Sequence, residues 1–484
     1  MGLAGILLAL GLLIWLAYRG WSVLLLAPAA ALVAAAFARQ PLLAHWTQTF
    51  MGSAARFLAQ FSPIFLLGAL FAKLMDDSGS VSAIADYMTR RLGERRAILA
   101  VVLAGAAVTY GGVSLFVAFF VLAPMAHALF QAADIPHRLM PATIALGAST
   151  FTMSALLGTP AIQNAIPMPF FGTTPFAAPG LGIVAAAIML AFGLWWLHRA
   201  EKGARRAGEG YGPAASVAPD AAAGDQLVRE RATTAREFDP AEIRHGHHSD
   251  AEPPITLAAL PLIVVVSVNF LMSFVVLPRL DTSFLADERW GGTSLSEVAG
   301  VWAVAVALAA AILTLILLNY RRLAALRESM DAGANASVLP ALSVASLVGF
   351  GAVVAALPAF AAVRDWVLSI GGGPLVSLAV ATNILAALTG SASGGLTIAL
   401  DALGRTYMKI AAEMSIDPAL MHRVAVIGSG TLDSLPHNGA VVTLLAVCGS
   451  THRESYFDLL MVGIVGALLA LAVVIALGSV IGSF

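Results

Sequence analysis

Charge is what this 484-residue sequence has least of, at 11% Asp, Glu, Lys and Arg, against about 25% in an ordinary soluble domain. A soluble fold of this length cannot cover its surface with so few charges, whereas lipid can serve as the outer solvent. The formal net charge of -1, with no basic stripe outside short inter-span loops, excludes nucleic acid as a partner. A single cysteine, Cys448, excludes an internal disulfide and a cysteine-rich metal site. Its apolar neighbours mark it as a buried structural thiol. Basic residues are also missing at the start, where Met1-Gly2-Leu3 carries no side-chain charge. The first apolar stretch therefore reads as a span that stays attached, not as a cleaved secretory signal.

What is present is hydrophobic sequence, 59% of the chain. A span takes about 20 mostly apolar residues. Such runs occur at Gly2–Ala17, Trp21–Phe37, Phe57–Leu74, Leu139–Ile166, Pro179–Leu197, Ile255–Leu277, Val298–Leu318, Leu339–Ala362, Val424–Val447 and Leu459–Ile481. Two more, Ala97–Phe130 and Gly373–Leu400, are interrupted by Tyr110-Gly111-Gly112-Val113-Ser114 and by Gly390-Ser391-Ala392-Ser393-Gly394-Gly395. Their arms are short for full crossings, so both read as re-entrant hairpins. Irregular backbone survives inside a membrane only against protein or a watery cavity.

The densest basic segments beside spans are Arg90 to Arg96, Arg199 to Arg206, and Arg321-Arg322 with Arg327. The positive-inside rule makes all three cytoplasmic. Five full crossings plus one hairpin in each half then give the halves opposite topology, with both chain ends outside. Arg39 and Arg56 would be external and fit least well. Local sequence repeats support two halves. Ile135-Pro136-His137-Arg138-Leu139-Met140 answers Ile416-Asp417-Pro418-Ala419-Leu420-Met421, and Ala145 to Thr150 answers Val426 to Thr431. The Gly-Gly pairs recur at nearly the same offset, and inverted repeats are a common build of secondary carriers.

The expected fold is therefore an all-α polytopic membrane protein of two inverted-topology repeats, each with about five transmembrane helices, one re-entrant hairpin and one broken helix. The first repeat covers 1–197, with its hairpin at 97–130 and broken helix at 139–166. The second covers 254–484, with its hairpin at 373–400 and broken helix at 424–447. Residues 198–253 hold 18 of the 55 formally charged residues and read as a disordered cytoplasmic linker. The linker's His245-Gly246-His247-His248 lacks a fourth ligand and reads as solvated chain.

The spans after the hairpins break at corresponding places, Leu157-Gly158-Thr159-Pro160-Ala161-Ile162-Gln163-Asn164 and Thr431-Leu432-Asp433-Ser434-Leu435-Pro436-His437-Asn438-Gly439. Proline removes one helical hydrogen bond and blocks another carbonyl. The half-helix N-termini so created bind anions through free amides. No arginine or lysine is placed at mid-span, so a carboxylate would be held by backbone and hydroxyl donors. Gly111, Gly112 and Ser114 offer these on one hairpin, and Ser391, Ser393, Gly394, Gly395 and Thr397 on the other. Thr159, Asn164, Thr431 and Asn438 offer them at the breaks. Small residues that simply let helices approach are the competing explanation. Asp433 is the acidic residue placed inside a span, at about 2.5–3.5 kcal/mol on the insertion scale. It reads as a proton-handling group or as the cap of the half-helix. His437 is its companion, with an uncertain geometry because of Pro436.

The run Ser429-Gly430-Thr431-Leu432-Asp433-Ser434-Leu435-Pro436-His437-Asn438-Gly439-Ala440, followed by Cys448-Gly449-Ser450-Thr451-His452-Arg453-Glu454-Ser455-Tyr456, resembles the gluconate permease family. The closest likeness is to its 3-hydroxybutyrate permease-like branch, and it spans nearly the whole chain. The resemblance implies a proton-coupled symporter of a small anionic hydroxy-carboxylate in a bacterial inner membrane, belonging to the wider ion-transporter superfamily. It also implies a homodimer, an elevator-like shift of one domain, and no cofactor. The linker is longer than the family leads one to expect. The residues themselves leave H⁺ or Na⁺ coupling open. A cation/proton antiporter would need more midplane carboxylates than Asp433. An intramembrane hydrolase using Ser434 or Ser391 with His437 would leave the repeat unexplained, so the expectation is a carrier and not an enzyme.

Overall fold

The computed structural model describes residues 2–18, 21–212, 249, 251–436 and 438–484, and every regular element among them is a helix. Leucine, alanine and valine dominate the helical runs, and prolines sit at the first turn of several helices, where no intrahelical N–H is lost. The first half begins with α1 (Gly2–Tyr18), α2 (Val23–Phe37) and the long α3 (Leu42–Asp77). An amphipathic connector, α4 (Ser80–Leu92), leads to a helical hairpin, α5 (Ala97–Tyr110) and α6 (Leu115–Ala132). Then come α7 (Met140–Ala148), an irregular stretch holding three short helical pieces, and α8 (Pro179–Arg206).

The second half repeats this order. It runs α9 (Ile255–Arg279), α10 (Leu295–Asn319), α11 (Leu326–Ala356) and the connector α12 (Phe360–Leu368). The second hairpin is α13 (Pro374–Thr389) and α14 (Ala392–Met414). A broken helix, α15 (Pro418–Thr431) and α16 (Gly439–Val447), precedes α17 (His452–Ile481). Of the matched segments, Ile135 to Met140 and Ile416 to Met421 lead into α7 and α15, and Ala145 to Thr150 and Val426 to Thr431 lie at their ends, so the pairs fall at the same places in the order of elements.

Seven of the described helices are long and apolar enough to cross a bilayer. One of them is α6, an arm of the first hairpin, which is longer than the apolar interruption pattern implies. The second hairpin also overruns its expected end: α14 continues past Leu400 through Asp401, Arg405, Lys409 and Glu413. Charges there mark one face of a continuing helix and not its end. Arg56 likewise lies within α3, bonded to Ser53 Oγ at 2.8 Å, and not in a loop. Neither connector, α4 or α12, was visible as an apolar run.

The leading elements of both halves pack on one another: α2 and α3 against α11, α3 against α10, and α9 against α10. A separate apolar core including Ile6, Ala27, Phe50 and Phe350 joins α1 and α2 to α11. The hairpins and broken helices pack together, with α5 on α7, α13 on α15 and α8 on α17. At the far end of α8 the chain stays docked beyond the expected repeat boundary. Helix continues to Arg206, Glu209 pairs with Arg138 at 2.8 Å, and Tyr211 Oη meets His127 Nδ1 at 2.7 Å. The opposite end of α8 holds the chain terminus, where Gly180 N donates to Phe484 O at 2.7 Å. The histidine cluster at 245–248 lies outside the described residues.

Candidate functional site

Each hairpin turns on glycine. Gly112 adopts φ 97 and Gly390 φ 63, left-handed values that cost a Cβ-bearing residue strain. At the second tip Ser391 caps α14, its Oγ accepting from Gly394 N at 3.2 Å. At the first tip no side chain caps α6.

The breaks are held by polar groups. In the second, α15 ends at Thr431, one tight turn carries Asp433, and Asn438 starts α16. Asn438 Oδ1 accepts from Ala440 N at 2.7 Å and Val441 N at 3.4 Å, a side-chain N-cap. Its Nδ2 donates to Gly390 O at 2.9 Å and to Asp433 Oδ1 at 2.7 Å. One amide therefore ties the hairpin tip, the acid and the half-helix together. In the first break Asn164 Nδ2 donates to Thr159 O at 3.1 Å and Pro175 O at 3.0 Å. Asn269 Nδ2 donates to Gly158 O at 3.0 Å, and Tyr110 Oη to Leu157 O at 2.9 Å.

A cavity of about 220 Å³ lies between these four features. The first tip contributes Gly112 and Ser114, and the second Ala392 and Ser393. The first break contributes Ser149, Ser154 and Gln163, and the second Asp433, Ser434 and Asn438. The remaining wall is α3 (Ile64, Phe65, Gly68, Ala69) and α11 (Ser337, Pro340, Val344), while α17 closes in at Gly463. The helix starts of α6, α14 and α16 all lie at this wall, so their amide dipoles favour an anion there. Gln163 Oε1 is buried without a hydrogen-bond partner.

Of the residues expected from sequence, Gly112, Ser114, Ser393, Asp433 and Asn438 come together around this space. The others lie behind it. Gly395 lets α13 and α14 touch, since a Cβ there would overlap Ala386 N; Gly394 faces Leu347, and Gly111 faces Leu262. Thr397 Oγ1 and Thr431 Oγ1 bond back to their own helices, at Ser393 O and Ile427 O. Thr159 Oγ1 accepts from Ala161 N, Asn164 is consumed by the first break, and Ser391 by its cap. His437 lies outside the described residues.

Two cations are buried among the helices. Lys73 pairs with Asp77 at 2.8 Å inside α3. Arg423 of α15 is 0% exposed and donates to Ala177 O, Ser154 O and Asn164 Oδ1. It stands one residue before the apolar run at Val424, where a charge reads as a boundary. Ser149, Ser154, Gln163 and the α3 and α11 walls were also missed, and small or aliphatic wall residues carry no chemical signal that would find them.

A relative from Bacillus subtilis (strain 168), the uncharacterized transporter YxjC, is 43% identical over 481 residues, covering 98% of both chains. The family model for GntP family permeases matches residues 1–168. The chain belongs to the GntP permease family. As a GntP-family permease with seven described helices fit to cross a bilayer, it is a multi-pass membrane transporter. The permease also shares its fold with MtrF of Neisseria gonorrhoeae, from a class described as antimetabolite efflux pumps. The TM-score is 0.55 at 15% identity, covering 90% of this chain and 85% of that one.

Proposed function

We propose that this permease is a proton-coupled symporter of a small hydroxy-carboxylate, with 3-hydroxybutyrate first and a gluconate-type sugar acid next. The observation that carries this reading is the cavity in which Asp433, hydrogen-bonded to Asn438, faces both hairpin tips. Three helix starts turn the positive ends of their dipoles toward a carboxylate in this space. The buried Gln163 Oε1 supplies an acceptor for the substrate hydroxyl. Among the described lining residues Asp433 is the one acid, which suits a proton better than a multi-carboxylate cation site. Carbohydrate acids and short hydroxy acids both suit so small a space.

The cavity sits where the hairpins and breaks meet α3 and α11, so the first group can carry substrate past the second as an elevator. The protein would act as a homodimer in the bacterial inner membrane, its halves inverted. α8, at 28 residues about 42 Å long, separates Phe484 from the linker by a full bilayer. In a Cys448→Ala background, a cysteine at Phe484 should react with impermeant reagent added outside cells, and one at Gly208 should not. The reverse pattern refutes the orientation.

Vesicles with an imposed pH or sodium gradient and labelled 3-hydroxybutyrate or gluconate test the function. Accumulation driven by ΔpH alone is expected, and a strict sodium requirement would replace the proton. Export alone would favour the efflux direction suggested by the MtrF likeness. Gln163→Leu should narrow the preference for 3-hydroxybutyrate over butyrate on the order of tenfold, the scale of one hydrogen bond to the hydroxyl. Unchanged discrimination removes Gln163 from recognition.

A further inference from the structure

The permease interior holds few charges, and most are neutralised locally. Lys73 has Asp77 at 2.8 Å, and Asp458 has Arg138 at 2.6 Å. Among the described residues Arg423 has no such partner. Its guanidinium is fully buried, and all of its hydrogen bonds go to neutral oxygens: Ala177 O at 2.7 and 3.2 Å, Ser154 O at 3.4 Å and Asn164 Oδ1 at 3.5 Å. The neighbouring His422 is also fully buried, with Nε2 meeting Asn164 Oδ1 at 3.1 Å and Nδ1 meeting Thr173 Oγ1 at 2.6 Å. Carbonyl oxygens solvate a cation but do not cancel its charge, and leaving one buried without a counter-ion is costly.

The place of Arg423 explains what that cost supports. Every acceptor lies on the first break or the turn before α8, whereas Arg423 belongs to the helix that leads into the second. Ser154, whose carbonyl it holds, lines the cavity, and so does Gly430, further along α15 and packed against Ser154. Gly182 of α8 lies against Arg423, and a Cβ there would overlap Ala155 O in the first break at 2.6 Å, so α8 packs closely on both. The charge therefore stands one residue behind the wall, in a medium where water cannot screen it.

We propose that Arg423 is the specificity-determining charge of this permease, a fixed cation behind the cavity wall that selects anions without touching them. The assignment deepens the carboxylate reading and rests on it for the identity of the anion, but not for the sign of the field.

The test measures that sign directly. In Cys448→Ala protein, Ser149→Cys places a thiol on the cavity wall, and Gly208→Cys provides an exposed reference. The rate of modification by a sulfonate-bearing methanethiosulfonate is divided by that of a trimethylammonium-bearing one, then normalised to the reference. Arg423→Gln should lower this ratio on the order of tenfold, the effect of removing one poorly screened charge. Arg423→Lys, which keeps the charge but loses most of the bonds, should stay near the parent value. The same Gln variant should raise KM for a carboxylate substrate with little change in maximal rate, and Lys should rescue it. An unchanged ratio in Arg423→Gln overturns the assignment. If the Gln protein does not fold, a ratio in Arg423→Lys that falls as far as tenfold overturns it, because geometry and not charge would then set the field. The ratio needs no knowledge of the substrate. Wild-type vesicles that move no hydroxy-carboxylate would defeat the substrate reading alone.

Discussion

The break after the first hairpin and the break after the second open onto the same cavity, but their polar groups are spent differently. In the first, Asn164, Asn269, Tyr110 and Arg423 all bond to backbone carbonyls or to one another, so the irregular chain is pinned from several helices at once. In the second, Asn438 caps α16 and also reaches an ionisable group, Asp433, that borders the cavity. A permease of this kind has two requirements, a rigid frame for irregular backbone and a group that changes charge. The two halves divide them, although their element order is the same. Arg423 links the halves, as a side chain of the second repeat spent on stabilising the first.

The sharpest way to break this division is Asp433→Asn. It keeps size and a hydrogen-bonding end but removes titration. An anion loads less readily beside a charged carboxylate than beside a neutral one, which links protonation to binding. Accumulation driven by ΔpH should be lost altogether while substrate exchange persists. If the variant still concentrates substrate when only ΔpH is supplied, the second break is not the coupling site and the division fails.

A second, smaller effect separates the hairpin's packing from its tip. In Gly395→Ala the new methyl would overlap backbone of the opposing arm at Ala386, which cannot yield, whereas in Gly394→Ala it meets only the mobile end of Leu347. The first substitution should cost about 3 kcal/mol, the upper range for overpacking, and the second about 1 kcal/mol or less. Thermal unfolding in detergent checks the order. Equal losses would mean that the arms can separate, and that Gly395 serves something other than close approach.

The parts of this arrangement that were legible in the sequence are those where the backbone itself departs from helix. Gly112, Gly390, Pro160 and Pro436 mark the tips and breaks because only such residues tolerate or force those conformations. The matching places of α7 and α15 in the element order coincide with the short matched segments. What stayed hidden depends on partners remote in sequence. Arg423 looked like the edge of a span because its solvation comes from Ala177 and Ser154, hundreds of positions away. The wall at Gly68, Ala69 and Ser337 has no motif, and α4 and α12 are amphipathic where only apolar runs were sought. Thr397 and Thr431 matched the chemistry of a site, but each hydroxyl bonds to its own helix.

The finest test compares the two asparagines. Asn164 is 0% exposed and joins Thr159, Pro175, His422 and Arg423. Asn164→Ala would leave two carbonyls short of a donor and withdraw one acceptor from a buried cation, at about 1–3 kcal/mol for each group stranded. Asn438→Ala removes an N-cap, worth about 1 kcal/mol, and its donor to Asp433 and to Gly390 O, two part-buried groups that water can reach. If the first break is frame and the second is machinery, Asn164→Ala should lower the melting temperature more. Asn438→Ala should melt only slightly early yet weaken ΔpH-driven uptake beyond what its lost stability accounts for, with restoration by Asn438→Asp excluded because a second carboxylate would repel Asp433. Purified protein scored for melting temperature and vesicles scored for uptake separate the two effects. An Asn438→Ala variant that transports in proportion to its folded fraction would make the second break a frame like the first, and leave Asp433 to act without its amide.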